Sequence, residues 1–150
     1  DSALFKKTVL HSGKLVLISS KENAPNESIF KLAEIKDQPF IKIKNLKTNA
    51  AQNNFDDVLR KEGITVNWIA ETETIQVAKA MVEQGSGYSI IDDFSALIYG
   101  EKISIHEIEP MIGYQICMIS NKEKPLSVNA QAFINFLEKL SGKLDQLVES

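Results

Sequence analysis

The chain alternates between short apolar runs of strand length and longer stretches with apolar residues at helical spacing. Leu15-Val16-Leu17-Ile18 is a continuous apolar run that predicts a buried strand. A polar stretch with Pro25 follows, then Ile29-Phe30-Lys31-Leu32, a short helix-like run. Phe40 to Lys44 alternates with Ile41 and Ile43 on one face and predicts a second strand. Phe55, Val58 and Leu59 share a helical face that Gly63 ends. Residues 66–70 (Val-Asn-Trp-Ile-Ala) predict a third strand, and Ile75, Ala78, Met81 and Val82 mark a helix that opens at "ETET".

Gly85-Ser86-Gly87 invites a phosphate-cradle reading, but the order of elements is against it. A dinucleotide loop runs strand, glycines, helix, so that free N–H groups at the helix start face the phosphate. Here the helix precedes the glycines, and Tyr88, Ile90 and Ile91 follow them in a strand-like run. The glycines therefore lie at the negative end of a helix, as a C-cap and a turn into a strand.

Beyond residue 91 the pattern predicts a short helix over Phe94–Ile98 closed by Gly100, a strand through Ile103, Ile105 and Ile108, and another over Tyr114–Ile119. The longest helix starts at Pro125-Leu126-Ser127, with Ser127 as N-cap. Its stripe is Phe133, Phe136, Leu137 and Leu140, continuing toward Leu144, Leu147 and Val148 past Ser141-Gly142. Strands alternating with helices define an α/β chain with a mostly parallel sheet and helices on its faces. No later segment can cover the stripe of the last helix, so the pattern calls for a partner segment ahead of Asp1.

Composition narrows the function. The 150 residues are 43% apolar and 25% charged, with a net charge of −3. The cations are sixteen lysines and one arginine, Arg60. Arginine is the preferred fork for phosphates and base edges, so the chain is a poor nucleic-acid binder by itself. No apolar run reaches membrane-span length. The first residue is Asp1 rather than Met, which reads as processing or as a piece of a longer protein. Cys117 has no partner for an internal disulfide and lies in an apolar run, as a buried, inert thiol would.

Reactive chemistry finds little support. His11 and His106 are far apart and in no metal-ligand spacing, and His106 reads as a solvated histidine on an edge-like strand. Cys117 has no glycine-framed elbow or orienting third group. Asp92-Asp93 follows a strand, where α/β ligand crevices lie, but Asp93 is most simply the cap of the helix starting at Phe94. Glu107 and Glu109 alternate on a strand and read as solvated. The expectation is therefore no catalytic residue, no metal and no cofactor.

Two segments remain. "KNLKTNAAQNN" begins at Lys44, and "ETET" follows Ala70; both join a strand's carboxyl end to a helix start. Free backbone N–H groups and hydroxyls there can hold a carboxylate or similar anion. Capping by Asn53, Asn54, Thr72 or Thr74 explains each segment alone, whereas two on neighbouring strands favour a ligand cleft.

The run "IAETETIQVAKAMVEQGSGYSIIDDFSA", followed by "CMISNKEKPLSVNAQAFINFLEKL", resembles the effector-binding domain of the LysR-type transcriptional regulators. Upstream, "LVLISSKENAP" and "FKLAEIKDQPFIKI" are similar to that family's corresponding stretches, with Asn23-Ala24-Pro25 in place of the usual His-Pro. The resemblance implies a type 2 periplasmic-binding-protein-like fold of two subdomains with the effector between them. Residues 20–119 would form the complete second subdomain, and 1–19 with 120–150 part of the first. The family's helix-turn-helix domain is outside this chain.

By the same resemblance, the effector-side residues are Asn45 and Thr48 in one segment and Thr72, Glu73 and Thr74 in the other. Thr72 and Thr74 would donate hydrogen bonds to a carboxylate or other small polar group. Glu73 departs from the small polar residue common there, which suggests an amino group on the effector or an outward-turned side chain. The implied partners are a small-molecule effector, a second copy or a tetramer pairing through helix 54–62 and the following strand, and DNA only through another domain. No membrane is implied, and the location would be cytoplasmic. An extracytoplasmic solute-binding protein of the same architecture is the alternative; an enzyme on this fold would need an acid/base or metal group that the sequence does not offer.

Overall fold

The apolar run at residues 15–18 lies near the C-terminal end of a much longer strand. In the computed structural model, which describes residues 4–44, 50–97 and 102–148, the chain forms β1 (Phe5–Ser20), β2 (Ile29–Lys31) and a 3-10 turn (Leu32–Asp37). It continues with β3 (Pro39–Ile43), α1 (Ala50–Lys61), β4 (Asn67–Thr72), α2 (Ile75–Glu83) and β5 (Ser89–Asp92). Then come α3 (Asp93–Leu97), β6 (Ile103–Glu109), β7 (Gly113–Asn121) and α4 (Val128–Val148). Contacts divide the chain into two units, residues 14–114, and residues 1–13 with 115–150.

In the 14–114 unit the strands run in the order β2-β6-β1-β5. β3 continues the row beyond β5, because Phe40 bridges Tyr88 in parallel and Tyr88 donates its amide to the Pro39 carbonyl at 2.8 Å. β4 pairs with β3, also in parallel. β1 is antiparallel to both β5 and β6, and β2 is parallel to β6. Five strands thus point one way and β1 alone runs against them, the exception to the expected parallel order.

Alternation along these strands feeds two cores, one on each face. Leu15, Leu17, Phe30, Phe40, Ile90 and Ile108 point to one face, where Phe55 and Leu59 of α1 cover them. Val16, Ile18, Ile41 and Ile91 point to the other, against Ala78 and Val82 of α2 and Ala96 of α3. α2 ends as its glycines predict. Gly85 takes φ +75°, its amide donates to Val82 at 2.8 Å, and the Ser86 amide donates to Met81 at 3.1 Å, the paired bonds of a Schellman cap.

Three local expectations change. Ile29–Leu32 is not a helix: Ile29–Lys31 pairs with Glu107–Glu109 as β2, because the edge of β6 offers backbone partners that a run this short cannot supply to itself. His106 is not solvated. β6 lies between β2 and β1, so its ring is buried, and Nδ1 sits 3.2 Å from the Glu27 carbonyl oxygen. Asp93 is not the cap of α3; Asp92 is, accepting the Ser95 amide at 2.7 Å, while Asp93 turns inward. Ile98 and Gly100, expected to close that helix, lie outside the described residues.

In the other unit, β7 pairs with β1 and the Lys122 amide donates to the Leu4 carbonyl at 2.9 Å. Ser127 caps α4 as expected, accepting the Ala130 amide at 3.2 Å. α4 runs unbroken through Ser141-Gly142, where the Ser141 hydroxyl bonds the Leu10 carbonyl. Among the described residues of its stripe, Phe133 is 60% and Phe136 59% exposed, Leu140 is exposed and Leu137 is half-buried. Cys117 is half-buried.

Candidate functional site

The carboxyl ends of the parallel strands gather on one edge of the 14–114 unit, where ligand crevices form in open α/β sheets. The last rung of the β3–β4 ladder pairs Ile43 with Thr72, and the Lys44 amide donates to the Thr72 carbonyl at 2.6 Å. The segments leaving β3 and β4 therefore start side by side. Asp92 at the end of β5 is level with Leu15, where β1 enters, and Glu107 near the end of β6 is level with Val16.

Thr72 is buried, and its hydroxyl donates to the Thr74 carbonyl at 3.1 Å, which tightens the turn into α2. Thr74 is exposed and caps α2: its hydroxyl accepts the Val77 amide at 3.3 Å, leaving its own proton to donate outward. Helix geometry leaves the amides at the start of α2 without intrahelical acceptors, so this turn presents donors and the positive end of a dipole. Glu73 is exposed between the two threonines. On β4, Glu71 lies 3.9 Å from the Lys44 ammonium, an exposed pair of little energetic weight. Asn45 and Thr48 lie outside the described residues.

A second group on this edge has no counterpart among the residues singled out for binding. Asp93 is buried with its carboxylate fully engaged: Oδ2 accepts the Lys14 amide at 3.0 Å, and Oδ1 accepts the Tyr114 hydroxyl at 2.8 Å and the Phe94 amide at 2.9 Å. Burial, followed by the Asp93 carboxylate, pushes ionisation of the Tyr114 hydroxyl well above its ordinary range. The Lys14 ammonium pairs with Glu107. Asp-Asp after a strand was a visible signal; Tyr114, twenty-one residues on, carried none.

Behind this edge, Lys79 of α2 is buried, and its ammonium donates to the Ser95 carbonyl of α3 at 3.4 Å. Burial lowers its pKa, opposed by the nearby Glu83 carboxylate. Among the described residues, no group of three or more His, Cys, Asp or Glu side chains is placed to hold a metal ion. No helix of the described residues is long and apolar enough to cross a membrane. The strand-end edge offers hydroxyls, amides and carboxylates, chemistry suited to recognising a small polar molecule.

This sheet, with helices on both faces and one strand running against the rest, has the type 2 periplasmic-binding-protein-like architecture. The chain belongs to the LysR substrate binding domain family, whose model matches residues 1–141. The regulatory domain of CcmR from Synechocystis PCC6803, in complex with 2-PG, is similar with a TM-score of 0.78 at 18% identity, over 91% of this chain and 67% of that one. The effector binding domain of QuiR in complex with shikimate gives 0.74 at 22% identity, over 95% and 68%. Full-length CbnR, a LysR family transcriptional regulator complexed with its target DNA, gives 0.75 at 16% identity, over 91% and 48%. No curated protein matches the sequence. The chain thus spans about two thirds of the similar regulatory domains and about half of the full-length regulator. At these identities the likeness is one of fold.

Proposed function

We propose that this chain is the effector-sensing part of a LysR-type transcriptional regulator. It takes a small polar metabolite, a carboxylate or an amino-acid-like molecule, at the carboxyl edge of residues 14–114. The observation that carries the reading is the Ile43–Thr72 rung, which starts both helix-entry segments from neighbouring points of one edge. A ligand carboxylate fits the Thr74 hydroxyl and the first amides of α2, and Glu73 fits an amino group on the same molecule. Asn45 and Thr48, which follow β3, complete the proposed set. The complexes of similar domains with 2-PG and with shikimate support a small-molecule ligand.

Ligand binding alters the output only if it favours one conformation over another. In this reading the shift is passed to a separate helix-turn-helix domain in a cytoplasmic homodimer or tetramer, with no reaction catalysed. The test is a thermal-shift and calorimetric screen of amino acids and small carboxylates on the full-length encoded protein. We expect at least one compound to raise the melting temperature, with Glu73→Gln weakening any amine-bearing ligand and Thr74→Ala weakening any carboxylate. A panel with no binder at all, or binding untouched by both substitutions, rejects the site.

A further inference from the structure

The chain passes from one unit to the other twice, between Gly13 and Lys14 and between Tyr114 and Gln115. The residues on the inner side of these crossings, Lys14 and Tyr114, are a hundred positions apart in sequence. Both are bonded to one carboxylate, that of Asp93. We propose that Asp93 is a clamp that holds both crossover points of the chain to the start of α3.

The chemistry suits a carboxylate and no other side chain of its size. Its three partners, the Lys14 amide, the Tyr114 hydroxyl and the Phe94 amide, are all donors, and together they use both oxygens. A carboxylate accepts at two oxygens and donates nothing, whereas an asparagine would turn two N–H protons toward one side of this group. Burial raises the stakes, because a buried carboxylate lacking these donors would be costly, and bonds to an ionised acceptor are stronger than neutral ones.

α3 is tied in turn to α2 by the bond from Lys79 to the Ser95 carbonyl, and α2 is capped by Thr74. A displacement of α3 thus reaches both crossings through the Asp93 carboxylate. The clamp stands on its own geometry and does not require the effector reading; if that reading holds, Asp93 is a positioning residue that carries a change at α2 to the crossings without touching ligand.

The test is amide hydrogen exchange on the full-length encoded protein with no ligand added, comparing wild type with Asp93→Asn and Tyr114→Phe. Tyr88→Phe serves as control, since it deletes a comparable hydroxyl bond, to the Asn23 carbonyl at 2.9 Å, away from the crossings. We expect exchange to rise about tenfold in peptides covering both residues 12–16 and residues 112–116, with α2 unchanged. Tyr114→Phe keeps the side-chain shape and should give a rise of the same sign at both places even where Asp93→Asn fails to fold. Tyr88→Phe should leave both places at the wild-type rate. A rise at one crossing only, a rise spread evenly over α2 and β3, or no rise overturns the clamp.

Discussion

Ile43 and Thr72 face each other on the final rung of a parallel pair, and the residue after Ile43 donates its amide to the Thr72 carbonyl. That rung makes the turn after β4 a fixed platform, with Thr72 tightening it and Thr74 capping α2. Replacing Thr74 with alanine removes the acceptor for the Val77 amide. Loss of such a cap costs on the order of 1 kcal/mol, so urea unfolding of Thr74→Ala should show a lower midpoint with an unchanged slope. A midpoint equal to wild type would mean that the cap bond contributes nothing in solution.

Gly87 is held by a close approach of backbone. A Cβ built on it would lie 2.5 Å from the Pro39 carbonyl oxygen, the same oxygen that accepts the Tyr88 amide. Relieving that clash means moving β3 away from the β5 lead-in, and both core faces are anchored on those strands. Gly87→Ala should therefore destabilise by about 2 kcal/mol or more, read as a melting temperature lowered by several degrees.

Tyr114 makes stability depend on alkaline pH. Its folded-state pKa is raised above the ordinary 10.0 by burial and by Asp93. Above about pH 10 the unfolded chain gives up the phenolic proton while the folded chain retains it, so proton loss favours unfolding. The contribution is complete below that pH and is lost as pH rises beyond it. Urea midpoints measured between about pH 9 and 11 should fall more steeply for wild type than for Tyr114→Phe. Parallel declines would show that the hydroxyl ionises normally in the folded protein.

Ser19 is fully buried on β1, and its hydroxyl has no hydrogen-bond partner among the described residues. Burying that group carries a desolvation cost with no compensating bond. Ser19→Ala should be neutral or stabilising by up to about 1 kcal/mol, the reverse of the usual sign for a substitution in a core. Chemical denaturation decides it, and a clear loss of stability would show that the hydroxyl is satisfied in solution.

Periodicity alone determined most of the local structure. The strand runs through Ile41, Ile69, Ile90 and Ile105, the helical stripes at 55–59 and 75–82, and the glycine end of α2 were legible because each depends on neighbours a few residues away. The edge carrying Thr72, Glu73 and Thr74 was legible for the same reason: it follows from where a strand stops and a helix starts. Tertiary structure alone decided the fates of Ile29–Lys31, His106 and Asp93. The first became a strand because β6 lay beside it, the second was buried because β2 covered that edge, and the third turned inward toward Lys14 and Tyr114. Each of those outcomes is set by a partner 21 to 79 residues away, and burial and hydrogen bonding over such separations leave no periodic trace in a chain.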